Sequence, residues 1–155
     1  MVEHGGQIVS FVLSFVLIAV FWMEHHRMYE GVLRISNPLL CVNVAWMLTI
    51  VWLPVPTAML GQMDTDPLQA LLYIGTLILT QAATLAGKLY LMRHPTLTDL
   101  SAEKLRHGAI GDIAAIILFC VALPIAAWVH PIGYFALLLL VFSTPLEKLL
   151  DRLRR

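Results

Sequence analysis

Two adjacent histidines, His25 and His26, with Trp22 three residues before them and Arg27 directly after, are residues that could move a proton or hold a metal. Successive residues on a helix point about 100° apart, so only one imidazole of the pair can face a given neighbour, and joint ligation of a metal or haem is a poor fit. The pair reads either as interfacial histidines or as one ring turned inward and one turned out. Asn43 stands within an apolar run, where an amide must find a partner, typically on another helix. Lys88 and Asp112 also sit within apolar runs, Lys88 five residues before Arg93 and Asp112 six residues after Arg106. On antiparallel helices both would lie roughly 8 Å in from the same surface at about 1.5 Å per residue. Ionisable groups at such depth are costly and are usually paired or functional; the alternative for Lys88 is to snorkel to the interface. Glu24 is three residues from Arg27 and reads as its partner at a solvated helix end. Cys41 and Cys120 lie in apolar runs without a Cys or His at ligand spacing, which suits buried small hydrophobes better than a disulfide or a metal site. No phosphate loop, nucleophile with its base, paired catalytic carboxylates or basic nucleic-acid face appears in the sequence. The expectation is a protein that is not an enzyme and takes no cofactor, metal or nucleic acid.

The elements that carry these residues are apolar throughout. Residues of the set AVILMFWYC make up 59% of the 155-residue chain and charged residues 13%, and the mean hydropathy is +0.82. A soluble domain has about 45–50% apolar and about 25% charged residues, so water cannot be the main solvent. A span needs about 20 apolar residues to cross about 30 Å of hydrocarbon. Five stretches qualify or nearly do: residues 7–23, 39–60, 68–92, 109–129 and 132–142. The fold class is therefore an all-α membrane bundle of about five transmembrane helices, in a single domain over residues 1–155. Pro54, Pro56 and Pro124 suggest kinks rather than breaks, because neighbouring helices can satisfy the freed carbonyls. The first span makes a poor signal peptide, having no Lys or Arg in Met1-Val2-Glu3-His4 and no small-residue cleavage site after it. Ser10 with Ser14, and Gly108 with Gly111, Ala114 and Ala115, give small faces suited to close helix packing. The segment 145–155 reads as an amphipathic surface helix anchored to anionic lipid. None of the five spans shows the polar stripe that a conducting path requires.

All ten Lys and Arg residues fall on one side of these spans: Arg27 and Arg34, then Lys88, Arg93, Lys104 and Arg106, then Lys148, Arg152, Arg154 and Arg155. Glu3, Asp64, Asp66 and His130 occupy the other side. Basic residues concentrate in the cytoplasm, so the carboxyl terminus is expected inside and the amino terminus outside. Carrying residue 1 across the membrane calls for an upstream helix.

Trp22-x-x-His25-His26-Arg27, then Leu40-x-x-Asn43, then Leu53-Pro54-Val55-Pro56-Thr57-Ala58-Met59-Leu60-Gly61 resembles, in order and spacing, the second and third helices of prokaryotic members of the transmembrane protein 175 potassium-channel family. The later spans, ending in Leu91-Met92-Arg93 and a Pro131 hairpin with a basic tail, resemble the last three helices more loosely. The resemblance implies an integral protein of a prokaryotic cell membrane, a homotetramer with potassium as the transported ion, and a pore lined by a first helix carrying Arg-x-x-x-Phe-Ser-Asp. The only Phe-Ser here is Phe142-Ser143, in the last span, and Glu24 stands where the family usually has Asn. The resemblance further implies that Trp22, one of His25 and His26, and Asn43 hold the pore helix by its Ser-Asp. The chain is then expected to lack that helix and not to conduct alone. The alternative is a small accessory or assembly protein that reuses the scaffold.

Overall fold

A computed structural model describes residues 2–62 and 67–128, all of them helix and connecting loop apart from one isolated bridge between Val32 and Thr98. The helices are α1 (Val2–Tyr29), α2 (Asn37–Trp52), α3 (Pro54–Gln62), α4 (Pro67–Arg93) and α5 (Ala102–Trp128), with a 3-10 turn at Pro95–Leu97. The expected span 132–142 and the expected surface helix 145–155 lie outside the described residues.

Several boundaries depart from the hydropathy reading, each for a local reason. α1 runs to Tyr29 and not to residue 23. Its polar last turns are supported by Glu24–Arg27 at 3.7 Å and His26–Glu30 at 3.3 Å, spacings that favour a helix. α5 starts at Ala102 rather than at 109, because Ser101 Oγ accepts the Lys104 N–H at 3.2 Å and caps the helix start. The span expected over 39–60 is two helices meeting at Leu53. Pro54 has no N–H to donate and its ring crowds the preceding turn. The Ile50 carbonyl that Pro54 leaves free accepts the Leu53 N–H at 3.3 Å instead, and the Leu53 carbonyl accepts both the Thr57 N–H at 3.3 Å and the Thr57 hydroxyl at 2.8 Å. Direction is kept across the break, and Asn37–Met59 remains one apolar stretch of 23 residues.

Asn37–Met59, Pro67–Arg93 and Ala102–Pro124 are long and apolar enough to cross a membrane. Their outward faces expose Leu48, Val51 and Ile117 at 70%, 73% and 58%. Such surface would be unfavourable in water and is at home in acyl chains, as befits an integral membrane protein.

α4 is the central helix, packed against α5, α2 and α3. Leu17 and Phe21 of α1, Trp46 of α2, Tyr73, Ile74 and Leu77 of α4, and Phe119 of α5 form the main core around it. A second cluster, Met28, Leu39, Leu91 and Leu105, closes the end where the 30–36 and 94–101 loops lie. Those loops are joined backbone to backbone. Leu33 N–H donates to Leu97 O at 2.8 Å, Asp99 N–H to Gly31 O at 3.0 Å, and the Thr98 hydroxyl to Gly31 O at 2.7 Å. Gly31 is required at this crossing, since a side chain there would collide with Leu100 and stand 2.8 Å from Asp99 Oδ1. The α1–α2 and α4–α5 hairpins are thus tied at one end of the bundle.

Candidate functional site

Near the tied end, α1 and α2 bring an imidazole, an indole and an amide together. The His25 ring lies between Trp46, at a centroid distance of 3.8 Å, and Tyr29, at 4.4 Å. It shares a hydrogen bond with the Asn43 side chain. Asn43 and Trp46 are three apart on α2 and so share a face. Two ring nitrogens in this cluster, His25 Nε2 and Trp46 Nε1, are buried without a hydrogen-bond partner. A buried indole N–H can only donate, and leaving such a group unmatched costs about 1–3 kcal/mol. The cluster is therefore an incomplete polar site that an acceptor would finish.

Helix geometry separates the two histidines, as neighbouring positions must. His26 stacks on Trp22 with centroids 5.0 Å apart and planes 6° from parallel, and its Nε2 lies 3.3 Å from Glu30 Oε1. Trp22 is 55% exposed. Of the four residues that the sequence resemblance singles out, the structure puts His25 with Asn43 inside and Trp22 with His26 outside. Trp46 was missed by sequence reasoning, although its position one turn beyond Asn43 marks it.

On the other side of α4, Lys88 Nζ lies 2.8 Å from Asp112 Oδ2 and 2.9 Å from Oδ1, with both side chains 10% exposed. Gly108 makes room for the lysine: a Cβ there would stand 3.2 Å from Nζ and 3.3 Å from Cε. Lys88 also ends a buried polar file. Thr76, Thr80 and Thr84 precede it at steps of four on α4, each donating its hydroxyl to the carbonyl four residues back at 2.6, 2.8 and 3.1 Å. The sequence reading found no polar stripe on any span; α4 has one, turned to the bundle interior. Its i, i+4 spacing is visible in the sequence but is diluted by the leucines and alanines between.

Cys41 and Cys120 are exposed and unbonded, not buried as expected. Each lies on a helix face turned away from the bundle, where an apolar side chain suits lipid as well as it suits a core. Among the described residues, no three His, Cys, Asp or Glu side chains are gathered to hold a metal ion.

Comparison with known proteins bears on the α1–α2 cluster first. Residues 1–54 match the family model described as endosomal/lysosomal potassium channel TMEM175. A potassium channel of Streptomyces collinus is 32% identical over 53 residues, covering 34% of this chain and 26% of that protein. The endosomal/lysosomal proton channels TMEM175 of Danio rerio and Mus musculus are 25% identical over 93 residues and 24% identical over 152 residues. Those two alignments cover 60% and 92% of this chain but 18% and 30% of the relatives. The chain thus spans less than a third of the length of each of these relatives. No solved structure matches it.

Proposed function

We propose that this chain, whose residues 1–54 match the TMEM175 family model, belongs to that family and is the supporting bundle of a potassium channel of its type. On this reading the cluster of His25, Asn43 and Trp46 is the dock for a pore-lining helix other than the five described. The observation that carries the reading is the pair of buried, unpartnered ring nitrogens, His25 Nε2 and Trp46 Nε1. A hydroxyl or carboxylate from another helix would satisfy them, which is the chemistry that a Ser-Asp pair offers. Four copies would each contribute such a helix to a common pore, and the basic loop ends would face the cytoplasm.

Selectivity for potassium follows the name of the Streptomyces relative, whereas the fish and mouse relatives are named as proton channels. Protons are therefore the competing ion. Liposome reconstitution with separate potassium and proton readouts tests the proposal, using the 155-residue chain alone and the same chain fused to a first helix carrying Phe-Ser-Asp. Flux is expected only from the fused form, with potassium favoured. Potassium flux from the chain alone would refute the assignment of the pore to another helix. Proton flux without potassium flux refutes the selectivity, and silence in both forms favours an accessory protein.

A further inference from the structure

The tied loops present a surface that neither the channel reading nor the bundle core uses. Leu33 and Ile35 are each 66% exposed, on either side of exposed Arg34, in the short connection between α1 and α2. A free loop could fold such side chains away, but this one is held. Leu33 N–H and Arg34 N–H both donate to Leu97 O, at 2.8 and 3.3 Å, and Ser36 Oγ donates to Tyr90 Oη at 2.9 Å. Tyr90 in turn stacks on His94, so the connection abuts the end of α4 that bears Arg93.

Charge at this end is unevenly matched. On α1, Arg27 is paired with Glu24 and His26 with Glu30. Among the described residues, exposed Asp99 and Glu103 have no cation within ion-pair distance, and twice as many exposed cations, Arg34, Arg93, Lys104 and Arg106, have no carboxylate within it. These cations come from three different segments brought together by the loop pairing. Two apolar side chains flanking a cation, with further cations beside them, match the boundary between acyl chains and phosphates in a leaflet.

We infer that this surface binds anionic phospholipid, Leu33 and Ile35 entering the acyl boundary while Arg34 and Arg93 engage headgroup phosphates. The test uses the full chain in nanodiscs of phosphatidylcholine alone or of equal parts phosphatidylcholine and phosphatidylglycerol. Native mass spectrometry counts retained lipids, and a melting curve reports stability. Phosphatidylglycerol should be retained selectively and should raise the Tm. Arg34→Gln and Arg93→Gln should each lower its retention about fivefold, the change that corresponds to about 1 kcal/mol per basic side chain near an anionic surface. Arg34→Lys should keep most of the effect, and Arg27→Gln, whose charge is already matched, should leave it unchanged. Leu33→Ser with Ile35→Ser should lower retention of both lipids. Equal retention of the two lipids by the wild type, unaltered retention in Arg34→Gln, or full replacement of the lipid by soluble glycerophosphoglycerol would overturn the inference. So would a Tm shift that follows protein concentration and not lipid, since a second copy would then be the occupant.

Discussion

Lys88 and Asp112 meet through both carboxylate oxygens, across the seam between α4 and α5, in a bundle whose surroundings are hydrocarbon. Either charge alone would be stranded there.

The first prediction follows from that asymmetry. Lys88→Met should destabilise the chain by about 3–5 kcal/mol, because it leaves a buried carboxylate unmatched. Lys88→Met combined with Asp112→Asn should cost clearly less than the sum of the two single changes. Unfolding in detergent micelles measures all three. Additivity within about 0.5 kcal/mol would show that the pair is not coupled.

A second prediction concerns the notch at Gly108. A methyl group there would press on the flexible end of Lys88, which can give way, and the helix gains about 0.5–1 kcal/mol from the replacement of glycine, so Gly108→Ala should change stability by less than about 1 kcal/mol. Gly108→Val cannot be accommodated by that shift alone and should cost about 1–3 kcal/mol. In the Lys88→Met background Gly108→Ala should become more favourable than in the wild type. An unchanged effect would show that the contact with Lys88 does not matter.

Trp46 separates docking from folding. Trp46→Phe keeps an aromatic ring against His25 but removes the unmatched indole N–H. In the chain as it stands, stability should change by less than about 1 kcal/mol, since no hydrogen bond is lost. In the form fused to a first helix, the same substitution should weaken helix docking and reduce potassium flux. Unchanged flux in a folded Trp46→Phe fusion would remove Trp46 from the dock.

Orientation is open to a labelling experiment. Single cysteines at Thr65 and Thr96, in a background lacking Cys41 and Cys120, should be reached from outside the cell and from the cytoplasm respectively. Thr96 serves because it is exposed, whereas Thr98 is buried and bonded to Gly31. Labelling of position 65 solely from the cytoplasm would invert the topology.

Much of this arrangement was legible in the sequence. Hydropathy located α4 to within a residue at either end, because the leucines, isoleucines and alanines between its threonines and Lys88 keep the helix apolar on average along its length. The depth argument brought Lys88 and Asp112 to the same level, and the structure sets them 2.8 Å apart. The break at Leu53 was less accessible. Proline within a span can bend a helix or interrupt it, and the outcome rests on whether a neighbour takes up the freed carbonyl, as the Leu53 N–H does for Ile50 O. Trp46 was hidden for another reason: a tryptophan in an apolar run looks like any core residue until a histidine from another helix stacks on it. The pairing of the 30–36 loop with the 94–101 loop has little sequence signature, since apart from the Thr98 hydroxyl and the absent side chain of Gly31 it is made by backbone groups of residues far apart in the chain.

That pairing also gives the bundle a mechanical character. Fastened at the loop end, α1 has a pivot there and a lever arm of about 42 Å at 1.5 Å per residue. A tilt of about 5° about the pivot would carry its far end nearly 4 Å sideways while shifting His25, close to the fulcrum, by well under 1 Å. Rearrangements of the bundle would therefore be widest at the end away from the loops, and the His25 and Trp46 cluster would behave as the fixed bearing on which they turn.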